Sequence, residues 1–368
     1  MASRIDRAAL RRQATAHTLF TPGGVLEAVE TLGFVQIDPL RAPARAQDLI
    51  LRHRVDGYRA GDLGRAYATL PLVEDFVHVL GVLPAGARRL LHPRAVDRRW
   101  HVEREHPRLA ASLLAHLRRH GPTHPRDLVR TFGRASVVNA WGGQSSATSR
   151  MLEVMHYRGQ LHVARRDDGL KVYGVAPPLA RPLAPATRMA GILRLLLRLY
   201  APLPVATLRE LARMASDAAV DNTGRERLVA RFVARDDVAR AEVDGITYLW
   251  PAEPPPPRDV DDERVRFLAP FDPLVWDRRR FAHLHGWEYR FEAYTPAAQR
   301  RHGYYALPLA WRDRVIGWVN IRRAGAGLDV TRGFAARAPA GRAFARAFDD
   351  EVDRVAAFLA PAVPAPTP

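Results

Sequence analysis

The chain has 368 residues, of which 47% are hydrophobic and 26% are charged, and its formal net charge is +17. This length and apolar content exclude a disordered or fibrous chain and predict two or three domains. The absence of Cys excludes disulfides, thiol nucleophiles and cysteine-ligated metal centres. No apolar stretch reaches the roughly 18 residues that cross a bilayer, and the basic first 16 residues lack a secretion signal's apolar core. We therefore expect a cytoplasmic protein.

The positive charge is concentrated in the first two thirds of the chain. Residues 1–240 carry 38 basic and 22 acidic side chains, whereas residues 241–368 carry 18 and 17. Such a surplus attracts a polyanion over long range and makes its binding sensitive to salt. Nucleic acid is therefore the first partner to consider, and a basic protein without this role is the alternative.

The first segment whose side chains could take part in catalysis is LGFVQIDPL at residues 32–40, in which polar and apolar residues alternate. If the segment is extended, Gln36 and Asp38 share one face, with Cα atoms about 6.5 Å apart. A carboxamide can hold a water or a sugar oxygen, and a carboxylate can accept a proton or stabilise positive charge. Without further context, this segment is more typical of a turn in which Asp38 bonds its own backbone ahead of Pro39.

A pattern of three helices followed by a β-hairpin begins near residue 109. Helical spacing predicts helices at residues 109–119, 123–131 and 145–159. Alternating residues then flank Asp168-Gly169, which is a strong hairpin signal. This order predicts a winged helix, whose third helix can enter a major groove. The same unit also serves in protein contacts, so the pattern alone leaves DNA binding open.

The pattern repeats about 75 residues later. Helical segments at residues 188–200, 208–214 and 225–234 precede a hairpin that turns at Asp244-Gly245. We therefore predict a second copy of the same winged-helix unit.

Beyond the second copy the composition changes. Prolines concentrate at residues 251–257, and acidic residues follow up to position 263, which predicts a stiff linker. Residues rich in Tyr, Trp, Val and Ile then predict four strands and a final helix, at 264–268, 286–294, 303–310, 315–322 and 340–359.

The predicted fold class is α+β, with tandem winged-helix units and a β-rich C-terminal domain. We expect an N-terminal winged-helix-like domain at residues 1–105 that carries the Gln-Ile-Asp segment. A second winged helix would occupy residues 106–180, a third 181–252, and the β-rich domain with its closing helix 253–368. Because several such units lie in one chain, a monomer is the default expectation.

Five stretches along the chain add a more specific signal: GFVQID at 33–38, ARAQDLIL at 44–51, RMLEVMHYRGQL at 150–161, LAPFDPLVWDR at 268–278 and QRRHGYYALP at 299–308. Taken together, these stretches resemble the winged-helix DNA glycosylases of the YcaQ/AlkZ type. The resemblance implies a C-shaped set of winged helices on duplex DNA. It also implies hydrolysis of the N-glycosidic bond of N7-alkylated purines and the capacity to unhook interstrand crosslinks, in a nucleoid-associated repair enzyme.

The family's signature places a Gln, an aliphatic residue and then Gln or Asp at the active site. Gln36, Ile37 and Asp38 match its Asp-bearing branch, which tolerates a broader range of lesions. The resemblance thus assigns Asp38 to charge stabilisation and water activation, and Gln36 to placing the water or the deoxyribose. His78 is assigned to the pocket, in a segment where this chain lacks the family's Trp. The chemistry requires no cofactor, metal or lysine Schiff base, so a monofunctional glycosylase is expected.

The Arg surplus and the polar residues beside it supply the predicted DNA contacts, which are Arg41, Arg45, Arg52, Ser146, Thr148, Arg150, Arg300, Arg301, His302 and Tyr305. Each has a structural alternative. Ser146 is equally suited to capping a helix, and the individual arginines to a solvated surface. Tyr304 fits the core of the domain.

Two alternatives to this interpretation concern metal and function. The pairs His283/His285 and His120/His124 have chelate-like spacing, but neither has a third ligand nearby, so no metal site is expected. The alternative function is a non-catalytic winged-helix DNA-binding protein or regulator.

Overall fold

The computed structural model describes residues 5–19, 23–94, 96, 99–138, 143–167, 169–179, 181–215, 217, 222–253, 263–325 and 327–360. The predicted linker beyond residue 253 lies outside the described residues. The α-helices are α1 Arg7–Thr18, α2 Val25–Leu32, α3 Ala46–Leu51, α4 Asp62–Ala66, α5 Arg88–Leu91, α6 His101–Glu105, α7 Leu109–His120, α8 Pro125–Phe132, α9 Ala147–Tyr157, α10 Pro185–Tyr200, α11 Val205–Met214, α12 Asn222–Val233, α13 Arg278–His285 and α14 Arg342–Leu359. The strands are β1 Val35–Gln36, β2 Leu72–Phe76, β3 Leu80–Pro84, β4 Ser136–Val138, β5 Gln144–Ser146, β6 Leu161–Asp167, β7 Leu170–Val175, β8 Leu203–Pro204, β9 Val238–Val243, β10 Ile246–Pro251, β11 Val265–Phe267, β12 Leu307–Trp311, β13 Arg314–Ala324 and β14 Gly327–Phe334.

The mixed helix and strand content, with several small sheets, confirms the α+β class. The chain packs as two compact units. The first comprises Met1–Leu63, Arg194–Glu210 and Ala230–Pro368, and the second comprises Gly64–Leu193 and Leu211–Val229. The four domains expected from the sequence remain a prediction. No α-helix in the described part of the chain combines the length and the apolar character that crossing a bilayer requires.

The first predicted repeat has the expected order of elements. Helices α7, α8 and α9 are followed by the antiparallel hairpin β6–β7. Local signals explain the helix ends: Pro125 occupies the first turn of α8, and Gly133 follows it with a φ of 93°. The side chain of Ser146 accepts a hydrogen bond from the Ser149 backbone N–H and thereby caps α9.

The second predicted repeat also has the expected order, with α10, α11 and α12 followed by the hairpin β9–β10. Strand β8 adds to β10, which gives a three-stranded sheet in the order β8-β10-β9. The hairpin turns at Asp244 and Gly245, whose φ values of 51° and 77° are those of a type I′ turn.

The C-terminal part of the first unit is a four-stranded antiparallel sheet in the order β11-β12-β13-β14, against which α14 packs. The strands predicted at 264–268 and 315–322 are confirmed, as is the closing helix.

The strand predicted at residues 286–294 is wrong, and the one predicted at 303–310 begins only at Leu307. At 286–294 the backbone forms no strand pairing, and two of the aromatic rings, those of Trp287 and Tyr289, pack with the cluster around Phe281 and Val315. The Tyr289 hydroxyl completes this packing by donating a hydrogen bond to the backbone of the later segment, at the Ala306 carbonyl.

The core of the first unit joins the two ends of the chain. Ala14 and Leu19 from the first helix and its C-terminal cap pack with Leu268 and Val275. Beneath them, the guanidinium of Arg54 is fully buried and forms two hydrogen bonds to the carboxylate of Asp272, at 2.8 and 3.1 Å. This ion pair links the chain just after α3 to the segment that follows β11.

Candidate active site

Gln36 is placed by a sharp helix stop. Helix α2 ends at Gly33, which adopts the left-handed conformation with a φ of 74°, and the two-residue strand β1 follows. Gln36 is buried, at 9% exposure, and its side-chain oxygen Oε1 has no hydrogen-bond partner among the described residues. Because buried polar atoms are nearly always satisfied by protein or water, this oxygen marks a position for a water or a substrate group.

Asp38 combines the two interpretations of its sequence segment. Its Oδ1 accepts a hydrogen bond of 2.9 Å from the Leu40 backbone N–H, so the predicted turn is present. The strand ends at Gln36, and the alternation therefore does not continue to Asp38 as expected. The second oxygen, Oδ2, has no partner among the described residues. Burial raises the pKa of this half-buried carboxyl, while the Leu40 N–H acts in the opposite direction.

Tyr305 lies in the same neighbourhood. Its ring is only 4% exposed, meets Phe291 edge-on at 5.2 Å, and carries a hydroxyl with no partner among the described residues. Burial raises the pKa of the Tyr305 hydroxyl, and the negative charge of Asp38 adds to this effect. The prediction of Tyr305 as a surface DNA contact is therefore wrong. Tyr304, for which a core position was the structural alternative, is 44% exposed.

The loop before Tyr305 is held by a buried carboxylate. Glu292 accepts hydrogen bonds from the backbone N–H groups of Arg301, His302 and Gly303, at 3.0, 2.8 and 3.2 Å. Burial acts to raise the pKa of Glu292, but these three donors outweigh it and lower the pKa. This arrangement explains why β12 starts late, because the backbone donors of the loop are committed to a side chain.

The three residues of this loop that were predicted to contact DNA, Arg300, Arg301 and His302, lie in different environments. The His302 ring packs edge-on against Trp318 at 4.4 Å, and burial lowers its pKa; its contact with DNA stays a prediction. The Arg300 guanidinium lies over the Tyr304 ring at 5.1 Å. The side chain of Arg301 is exposed and forms no hydrogen bond or ion pair with described residues, so it stays a predicted DNA contact.

The arginines predicted as DNA contacts after the Gln-Ile-Asp segment differ in their exposure. Arg41 is exposed, and Arg45 is half-buried immediately before α3; both remain predicted phosphate contacts. The prediction that Arg52 contacts DNA is wrong, because its buried guanidinium forms a 2.8 Å ion pair with the buried Glu351. A side chain held in this way contributes to packing and cannot reach a phosphate.

In the second unit, the polar residues at the start of α9 are mainly structural. Ser146 caps the helix, which was the alternative to a DNA contact. The prediction that Thr148 contacts DNA is wrong, since this residue is 1% exposed and donates a hydrogen bond to the Gly133 carbonyl at 3.1 Å. Arg150 is partly exposed and pairs with Glu153 at 2.6 Å, and it remains a predicted contact.

His78 lies in the turn between β2 and β3 of the second unit and is 8% exposed. Burial lowers the pKa of His78 to about 3, so the ring is neutral near pH 7. Its assignment to the pocket remains a prediction. Within the described residues, no three His, Asp or Glu side chains group as metal ligands. Of the two histidines His283 and His285, whose spacing is chelate-like, His283 bonds Tyr248 and Asp244, while His285 accepts a hydrogen bond from the Val315 N–H.

Two comparisons place the chain among known proteins. A model of the family "DNA glycosylase AlkZ-like" matches residues 29–358. A solved structure, Streptomyces sahachiroi DNA glycosylase AlkZ, is similar with a TM-score of 0.63 and 14% sequence identity, covering 96% of this chain and 97% of that chain. At this identity the structural likeness shows the fold alone. The family match, which spans most of the chain, indicates a DNA-repair glycosylase. The chain belongs to the AlkZ-like DNA glycosylase family, which confirms the resemblance seen in the sequence.

Tyr305 and Glu292 are the residues of this neighbourhood whose roles sequence reasoning missed. The stretch at 299–308 carried part of the family resemblance, and it was interpreted as a surface segment. No local pattern could reveal the proximity of Tyr305 to Asp38, because the two residues are separated by most of the chain.

Proposed function

We propose that the protein is a monofunctional DNA glycosylase that hydrolyses the N-glycosidic bond of N7-alkylated purines in duplex DNA, including purines in interstrand crosslinks. We further propose that it acts as a monomer at the nucleoid, with the order of elements in its two repeats supporting tandem winged helices. The observation that carries the proposal is the Gln36–Asp38 segment. Among the described residues, it offers a buried amide oxygen without a hydrogen-bond partner and a carboxylate whose Oδ1 accepts the Leu40 N–H, within a chain of the AlkZ-like family.

The chemistry matches these two groups. An N7-alkylated purine already carries positive charge, so the base leaves without protonation by an acid. The sugar then develops oxocarbenium character, which the Asp38 carboxylate stabilises electrostatically. Asp38 also accepts a proton from the attacking water, while the side-chain oxygen of Gln36 orients that water or the deoxyribose. The bond between C1′ and the base nitrogen breaks, a C1′–oxygen bond forms, and the products are a free base and an abasic site.

The glycosylase proposal is tested with a duplex that contains one N7-methylguanine. We expect the protein to release free 7-methylguanine and to leave a strand that breaks only after alkali treatment. Strand cleavage without alkali would contradict the monofunctional assignment. Binding of the duplex without release of any base would favour the alternative, a DNA-binding regulator.

The raised pKa of Asp38 gives a pH dependence with a definite sign. The carboxylate must be ionised to act, so base release should fall as the pH falls through this raised pKa. Protein stability should move in the other direction, because ionising a half-buried carboxyl costs more in the folded than in the unfolded state. We expect Asp38→Asn to melt at a higher temperature than wild type near neutral pH and at a similar temperature in acid. Equal melting temperatures at both pH values would contradict this account of the carboxyl.

Arg301 provides a test of the proposed DNA-binding surface. Replacing it with Ala should weaken binding to all duplexes by a similar factor, because a phosphate contact carries no sequence information. The slope of log K against log salt concentration should become shallower by about 1. A salt titration by fluorescence anisotropy measures both quantities. An unchanged slope would remove Arg301 from the interface.

A further inference from the structure

An exposed aromatic patch lies in the segment around Glu292 and Tyr305. Among the described residues, four large apolar side chains are exposed, and two of them, Tyr294 at 79% and Tyr304 at 44%, belong to this segment. We call these two residues the tyrosine patch. Exposed apolar groups that cluster in this way are typical of binding surfaces.

Ring contacts connect the tyrosine patch to the proposed active site. Phe291 meets Tyr294 edge-on at 6.1 Å and Tyr305 at 5.2 Å, so a single ring bridges the exposed and the buried tyrosine. The Tyr305 hydroxyl in turn interacts electrostatically with Asp38 and with both tyrosines of the patch. Tyr294 is therefore linked through Phe291 to Tyr305, and the charge of Asp38 acts on the Tyr305 hydroxyl.

The segment is also held in position. The Glu292 carboxylate fixes three consecutive backbone N–H groups, and Asn320 donates a hydrogen bond to the His302 carbonyl at 2.7 Å. Arg300 donates to the Thr295 carbonyl and places its guanidinium over the ring of Tyr304. One tyrosine of the patch thus already holds a cation, whereas Tyr294 has most of its surface open to solvent.

We propose that Tyr294 is a specificity-determining residue whose ring stacks on the alkylated purine and selects it by its positive charge. This inference rests on the proposed function and adds a recognition site to it. The face of an aromatic ring attracts a cation, and base–aromatic stacking accepts any planar base. An N7-alkylated purine offers both a planar face and a positive charge, whereas an undamaged purine offers only the face.

The test is a binding measurement with three duplexes of one sequence. The first contains a 2′-fluorinated N7-methylguanine nucleotide, whose glycosidic bond resists hydrolysis. The second contains 7-deaza-7-methylguanine, which has the same shape but no positive charge, and the third contains guanine. We expect wild type to prefer the first duplex, and Tyr294→Leu to lose about tenfold of that preference. Tyr294→Phe should retain the preference, because the face of a phenyl ring also attracts a cation.

Two results would overturn the inference: equal binding of the cationic and neutral lesions by wild type, or an undiminished preference in Tyr294→Leu. The binding test does not depend on turnover, so it separates this inference from the proposed function. A charge preference that depends on Tyr294, without any base release, would contradict the glycosylase mechanism alone. Base release accompanied by a preference that ignores Tyr294 would contradict this inference alone.

Discussion

Replacement of Asp38 with Asn is expected to slow the release of 7-methylguanine from duplex DNA by about 10²- to 10⁴-fold. The amide is neutral, so it neither stabilises the oxocarbenium-like sugar nor accepts a proton from water. The substitution should keep the local fold, because an amide oxygen can still accept the Leu40 N–H hydrogen bond that Oδ1 now accepts. Single-turnover kinetics with excess protein measure the loss at the chemical step.

Asp56→Asn is the matched control for this variant. Asp56 is an exposed carboxylate in the same unit, so its replacement changes the net charge equally without touching the proposed site. It should retain the wild-type rate. If Asp38→Asn and Asp56→Asn behave alike, the carboxylate of Asp38 does not take part in the chemistry.

The second large effect concerns stability. Removing the carboxylate in Asp272→Ala should lower the free energy of unfolding by about 3 to 5 kcal/mol, because it leaves the Arg54 guanidinium buried without a counter-charge. Arg54 is fully buried and also donates hydrogen bonds to the carbonyls of Thr18 and Ile50, so its charge has no route to solvent. Urea unfolding followed by tryptophan fluorescence measures the loss.

The double variant Arg54→Met/Asp272→Leu tests the cause of that loss. It removes both charges and keeps apolar volume, so it should be more stable than Asp272→Ala. A loss below about 1 kcal/mol in Asp272→Ala would contradict a structural role for this buried pair, which links the chain after α3 to the segment after β11.

Local signals in the sequence predicted most of the helices and both hairpins of the repeats. Helices α7 to α9 are marked by periodic apolar residues and by Gly or Pro at their ends, and the β9–β10 turn by Asp244-Gly245. These features depend on residues only a few positions apart. The segment at residues 286–294 was mistaken for a strand because Trp287 and Tyr289 pack into the core, a role that the local pattern does not distinguish from a strand.

The candidate site was less predictable, because exposure depends on distant partners. Arg52 was expected on the surface, but it is buried and forms an ion pair with Glu351, which lies 299 positions further along the chain. Thr148 was expected at DNA and instead bonds a loop carbonyl. Gln36 and Asp38 emerged only through the family resemblance, since their local pattern was more typical of a turn. The approach of Tyr305 to Asp38 required the folded chain.

In the proposed mechanism, the Gln36–Asp38 segment acts on the sugar of the damaged nucleotide. A crystal structure of Asp38→Asn bound to a duplex with one N7-methylguanine tests this contact. We expect C1′ of that nucleotide to lie within about 3.5 Å of the side chain at position 38 or of a water it holds. A lesion sugar bound elsewhere on the protein, with this segment facing solvent or the undamaged backbone, would contradict it.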